Sequence, residues 1–227
     1  TDYLDDDGQG HHDIPICARI VVEQAQMSID FNGTAAMVKG NINCPLSVTA
    51  AGVFYVLRCL LPAHTPVCAG AMRPVQFSAP VGSLLNAQAP AAVALGNVET
   101  SSRIVDTLLG ALAQALPEHI PAASQGTMNN LAMASCSPTQ TSDSEHAPWS
   151  YYETIAGGCG ATAAQAGASA QHSQMTNTLN TPVEILEKTY PMRVQSYEQR
   201  WNSGGAGAIP GGDGVRKVYE FLAPARV

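Results

Sequence analysis

The chain has 227 residues, 45% of them hydrophobic, which is enough to bury a core without disulfides or metals. Charged residues make up only 13%, and 11 Lys and Arg against 18 Asp and Glu leave a net charge of −7. That balance excludes general nucleic-acid binding through a basic surface, and no run of ~18 apolar residues exists to span a bilayer.

In chain order, Asp2-Tyr3-Leu4-Asp5-Asp6-Asp7 has neither the basic start nor the apolar run of a signal peptide. His11-His12 reads as exposed loop. Residues 16–22 and 26–31 carry β-branched residues around a short break, and Asn32-Gly33 is a turn signal. Residues 46–61 are apolar around nearly the whole circumference, which predicts a buried helix stopped by Pro62. Residues 66–93 form a Pro- and Gly-rich connection with short strands expected near Val75-Gln76-Phe77 and Leu84-Leu85. Ile104, Leu108, Leu112 and Leu116 recur at steps of four, predicting a helix that starts near Asn97–Thr100 with polar caps and ends at Pro117.

Residues 131–134 and 149–155 read as strands separated by a polar insertion over 135–148. Thr181-Pro182-Val183-Glu184 spells a capping box opening a third helix, with Thr181 as N-cap and Glu184 reaching back. Residues 193–201 and 215–222 read as strands flanking a Gly-rich turn. The pattern predicts an α+β fold, an irregular mix of strands and buried helices with long Gly/Pro-rich loops. Two subdomains, 1–95 and 96–227, are a possible division. The abrupt ends and the low charge suggest a piece of something larger.

Six cysteines at irregular spacing show no zinc pattern, and reduced thiols in a cytoplasmic protein are expected. Cys59 reads as core packing, and Cys159 sits in a Gly-rich loop. No G-x-S-x-G, H-E-x-x-H or phosphate-loop signature occurs. The segment 203–214 reads as a tight backbone turn packed on another element. Four polar clusters remain. Asn97 and Glu99 lie at a helix start, suited either to capping or to holding an anion. Asn129 and Asn130 lie in a loop that is either a side-chain-stabilised turn or a polar site. Glu153 beside Tyr151 and Tyr152 is either half-buried or a general acid/base, and His172 precedes a polar stretch containing Asn177.

These clusters carry a resemblance. Asp2–Gly8, Asp30-Phe31-Asn32-Gly33-Thr34, Gly40-Asn41-Ile42-Asn43 and Gly96–Ser101 match in order. So do Gly126–Asn130, Tyr151–Gly158, His172–Glu187 and Ser203–Gly214. The chain resembles the hydantoinase B family, the B subunits or domains of hydantoinases, ATP-dependent 5-oxoprolinases and related ketone carboxylases. The resemblance implies the middle-to-C-terminal part of such a chain, working with a hydantoinase A-like ATPase subunit and the remaining N-terminal part of the B chain in a hetero-oligomer. It implies an ATP-dependent cyclic-amide hydrolase, with a ketone carboxylase subunit or a non-catalytic scaffold portion as the alternatives. The family's divalent metal is expected to be held by ligands upstream of this chain, and ATP to be used by the A subunit. On that basis His172, Glu153 and Glu99 are expected to be catalytic, with Asn97, Asn129, Asn130 and Asn177 binding substrate. Cys68 and Ala208-Ile209-Pro210 depart from the family's usual pattern and leave the substrate subgroup open.

Overall fold

Short β-branched runs separated by tight turns give the chain its first four strands. The computed structural model describes residues 1–136 and 147–227, so most of the expected insertion over 135–148 lies outside the described residues. Strands β1 (Asp2–Asp6) and β2 (His12–Ile16) pair antiparallel, with Leu4 opposite Ile14. Strands β3 (Arg19–Glu23) and β4 (Gln26–Asp30) form a second hairpin, and β5 (Val75–Ser78) joins β4 in parallel. The β1 strand and its pairing were not expected from its acidic composition. His11 and His12 are exposed, with His12 opening β2.

Helix α1 (Leu46–Leu60) and helix α2 (Ser101–Ala113) pack together in the same compact unit, Thr1–Thr127 with Thr162–Ala164. The close contact is possible because Gly52 lacks a side chain; a Cβ there would stand 2.9 Å from Ile104 Cγ2. Helix α1 is not buried all round. Its core face is Thr49, Gly52, Val53, Val56 and Leu57, a stripe at steps of three and four, while Leu46, Phe54 and Leu60 are about two-fifths exposed. Cys59, in the helix's last turn, is exposed, which corrects its assignment to the core. Leu84 and Leu85 are fully buried, though as loop residues rather than as a strand.

The second unit comprises Met128–Ala161 and Gln165–Val227. Strands β6 (Asn130–Ser135) and β7 (Ser150–Thr154) pair antiparallel, and β10 (Ala225–Arg226) adds to β6. Strands β8 (Met192–Arg200) and β9 (Gly214–Phe221) form a long antiparallel ribbon with a bulge between Val194 and Ser196. Helix α3 (Val183–Thr189) precedes β8, and Met133, Tyr151, Leu186 and Met192 form this unit's buried core. The capping box at α3 is not realised. Pro182 occupies the N-cap position, no side chain caps the helix, and Thr181 is hydrogen-bonded to Tyr151. Helices and mainly antiparallel strands in separate stretches make the fold α+β. No described helix is long and apolar enough to cross a membrane.

Candidate functional site

Several of the motif stretches meet inside the first unit through backbone contact. A Cβ on Gly40 would lie 2.0 Å from the Asp7 carbonyl oxygen, and one on Gly96 would lie 2.2 Å from that of Asn43. Only glycine permits this approach. Asn43 is fully buried; its amide donates to the carbonyls of Val38, Gly40 and Ala92 and its oxygen accepts from the Val38 N–H. The Thr100 hydroxyl donates to the Ile42 carbonyl.

These contacts seat a π-helical turn, Gly96–Thr100, that runs directly into α2. Such turns are rare and recur at functional sites. Asn97 is exposed on this turn, and Glu99 accepts a 2.8 Å hydrogen bond from the Thr127 hydroxyl. The expected polar capping of the helix start is absent: neither the turn nor α2 has a side-chain cap. Ser101 and Ser102 instead donate their hydroxyls to the carbonyls of Asn97 and Val98, at 2.9 and 3.1 Å.

The second unit holds a more enclosed constellation. Glu153 on β7 and Lys217 on β9 form an ion pair with side chains only 3% and 2% exposed. The Lys217 ammonium donates to both carboxylate oxygens, at 2.9 and 3.1 Å. It also lies 4.8 Å from the ring centre of Tyr197 and 5.1 Å from that of Tyr219, where the ring faces favour a cation. Glu153 Oε2 accepts further bonds from the Tyr151 hydroxyl at 2.9 Å and Asn180 Nδ2 at 3.0 Å. Burial, with the Glu153 charge adding to it, raises the Tyr151 phenol above its usual range. Lys217 was missed by sequence reasoning, yet a signal existed. Val215, Lys217, Tyr219 and Phe221 alternate with exposed Arg216 and Glu220, which puts Lys217 in an apolar row of a strand.

The remaining predicted residues have distinct settings. Asn129 donates to the Ile155 carbonyl at 3.3 Å, and Asn130 Oδ1 accepts from the Thr154 hydroxyl at 2.8 Å. Asn177 is exposed. Both ring nitrogens of His172 are buried with no hydrogen-bond partner among the described residues, as is the hydroxyl of Thr176. Burial lowers the His172 pKa, so the imidazole is neutral at pH 7. A neutral imidazole both donates and accepts, so His172 keeps one of each function available. Asn97 and Glu99 thus lie in one unit, whereas Asn129, Asn130, Glu153, His172 and Asn177 lie in the other.

The two Gly-rich loops interlock beside this constellation. Cys159 N–H donates to Ala168 O and Gly212 N–H to Cys159 O, both at 2.9 Å, and a Cβ on Gly158 would lie 1.9 Å from Gly212 O. Burial raises the Cys159 thiol and pushes Cys44 up to about 11, which keeps both protonated and poor nucleophiles at neutral pH. Among the described residues no three His, Cys, Asp or Glu side chains are grouped to hold a metal ion. The described residues thus offer no ligand set for a divalent metal.

The sequence profile of hydantoinase B/oxoprolinase matches residues 1–227. A 5-oxoprolinase 1 of Arabidopsis thaliana is 41% identical over 226 residues, covering 100% of this chain and 16% of that protein. A 5-oxoprolinase of Dictyostelium discoideum is 38% identical over 222 residues, covering 98% of this chain and 16% of that protein. The crystal structure of the ATP-dependent caprolactamase from Pseudomonas jessenii superposes with a TM-score of 0.83 at 26% identity, over 99% of this chain and 39% of that one. The chain thus spans well under half the length of these relatives, and by its full-length match it belongs to the hydantoinase B/oxoprolinase family.

Proposed function

We propose that this chain is part of the B component of an ATP-dependent cyclic-amide hydrolase of the hydantoinase/5-oxoprolinase type. A hydantoinase A-like ATPase subunit, joined with it in a cytoplasmic hetero-oligomer, phosphorylates the ring amide oxygen. The attached phosphoryl group makes the amide carbon a stronger electrophile, water adds there, and departure of the protonated ring nitrogen opens the ring to an acyl phosphate, which a second water hydrolyses to the free carboxylate and inorganic phosphate. The observation that carries a chemical role for these residues is the buried, neutral His172 with two unpartnered ring nitrogens. A neutral imidazole takes a proton from the attacking water and returns one to the leaving nitrogen. Asn129, Asn130 and Asn177 are the proposed donors toward the developing oxyanion. Glu153, whose oxygens already accept four hydrogen bonds, orients its neighbours in this reading.

The test is turnover by the full-length protein with its A-type partner. ATP-dependent ring opening of 5-oxoproline, a hydantoin or caprolactam is expected, while a ketone with bicarbonate should give no carboxylated product. His172→Ala is expected to lower kcat at least about tenfold, in the range of a lost general base. Absence of ATP-dependent product from every cyclic amide would overturn the hydrolase assignment, and a near-normal His172→Ala rate would remove the histidine from the mechanism.

A further inference from the structure

The segment 172–181 has no regular secondary structure, yet it carries His172 and Asn177 into helix α3. Its first end is tied where Gln171 exchanges backbone hydrogen bonds with Gly157, at 2.9 and 3.3 Å. Its second end is tied at Asn180 and Thr181. Asn180 Nδ2 donates to Glu153 Oε2 at 3.0 Å and to the Thr154 carbonyl at 2.9 Å. Asn180 Oδ1 accepts from the Tyr197 hydroxyl at 3.1 Å. The next residue, Thr181, is hydrogen-bonded to Tyr151.

The partners of Asn180 are themselves fixed. Lys217 clamps both oxygens of Glu153 and lies against the ring of Tyr197. A buried carboxylate keeps its charge when a cation and hydrogen-bond donors meet it, and a charge so held has one preferred orientation. Apolar packing in the same space would stabilise the unit without dictating where an amide must sit. We propose that Lys217 and Asn180 are positioning residues, which hold the 172–181 segment so that His172 and Asn177 are presented in one fixed arrangement. The proposal rests on the hydrolase reading for its chemistry. Neither residue needs to touch the substrate.

Asn180→Ala leaves the Glu153–Lys217 pair intact and removes the three Asn180 hydrogen bonds that tie the segment's second end. In the full-length protein with its ATPase partner it is expected to lower kcat for ring opening at least about tenfold, with KM for ATP unchanged, since small misplacements of reacting groups cost this much. Hydrogen exchange of the amides in 172–181 is expected to rise at least about tenfold while β6–β9 stay protected, which reads the segment without any turnover. Unchanged exchange across 172–181 overturns the proposal. Should Asn180→Ala fail to fold, Tyr197→Phe keeps the ring over Lys217 and removes only the hydroxyl; it is expected to raise exchange in the same segment, and no rise overturns the proposal equally. The two readings separate cleanly. Impaired turnover in Asn180→Ala with normal turnover in His172→Ala discards the histidine's chemistry and keeps the positioning role. The reverse pattern discards the positioning role alone.

Discussion

Asp7 concentrates several interactions on one buried carboxylate. Its oxygens accept from the backbone amides of Gln9, His11 and Gly40 at 2.8, 3.0 and 3.0 Å, and Asp7 Oδ2 lies 2.8 Å from His11 Nδ1. Burial pushes its pKa up, but these bonds together favour the charged form more and hold it well below the usual carboxylate range. The folded state therefore binds a proton less readily than the unfolded chain. The stabilisation is present above the unfolded value of about 3.9 and is lost as pH falls below it. Thermal melting across about pH 7 to 2 should show Asp7→Asn less stable than wild type near neutrality and with a flatter acid dependence. A parallel decline in both proteins would remove Asp7 from the acid response. His172 gives a second pH signature at the same scale. Its folded pKa lies below the ordinary value of about 6.5, so protonation favours the unfolded or ligand-free state and costs activity only at lower pH. The acid limb of kcat/KM is expected below about 6.5, and His172→Gln should abolish that limb along with most of the rate. A limb that persists unchanged in the variant belongs to another group.

At the scale of elements, legibility followed the physical signal each element carried. Helix α2 was legible because Ile104, Leu108 and Leu112 recur at helical spacing and are buried, whereas Leu116, the fourth of that series, lies past the helix end at Ala113 and is exposed. Helix α1 was found, but not its orientation. A sequence apolar on every side does not say which side meets the core, and the decisive residue was Gly52, which admits Ile104. The capping box is not formed: Pro182 takes the N-cap position, and Thr181 is bonded to Tyr151 instead. The tight packing read into the Gly-rich 203–214 turn is present, since Gly212 and Gly204 each contact backbone too closely for a side chain. This makes a sharp contrast testable. Gly158→Ala would place a methyl 1.9 Å from Gly212 O, whereas a Cβ at Gly205 meets nothing within 4 Å. Gly158→Ala is expected to destabilise by more than about 2 kcal/mol, because backbone on both sides has little room to give. Gly205→Ala is expected to stay within about 1 kcal/mol of wild type. Equal melting temperatures for the two variants would show that the loops do not interlock in solution.

Across the whole molecule, each unit has its own buried apolar set, which in the first includes Ile16, Phe31, Val53, Val56, Leu84, Leu85, Ile104 and Leu108 and in the second centres on Met133, Tyr151, Leu186 and Met192. The second set is smaller and shares its unit with a buried charge pair. The candidate residues were legible as polar types in loops, but their division between two units depends on long-range pairing that no local pattern encodes. Lys217 illustrates the limit: its row on β9 was visible, while its partner lies 64 residues away. That pair sets where stability is most exposed to substitution. Lys217→Met would leave the Glu153 carboxylate buried without its cation, and breaking one side of such a pair costs about 3–5 kcal/mol. Removing the second charge as well, with Glu153→Gln, leaves an oxygen for Tyr151 and Asn180 and no orphaned charge, so most of that loss should return. The loss belongs to the second unit. Native-state hydrogen exchange on the full-length protein should therefore show lower opening free energies for the β8 and β9 amides in Lys217→Met. The α1 and α2 amides should keep their wild-type protection. Recovery in the double variant identifies the uncompensated carboxylate as the cause; a double variant as weak as the single one would assign the loss to the ammonium's contacts with the rings of Tyr197 and Tyr219 instead.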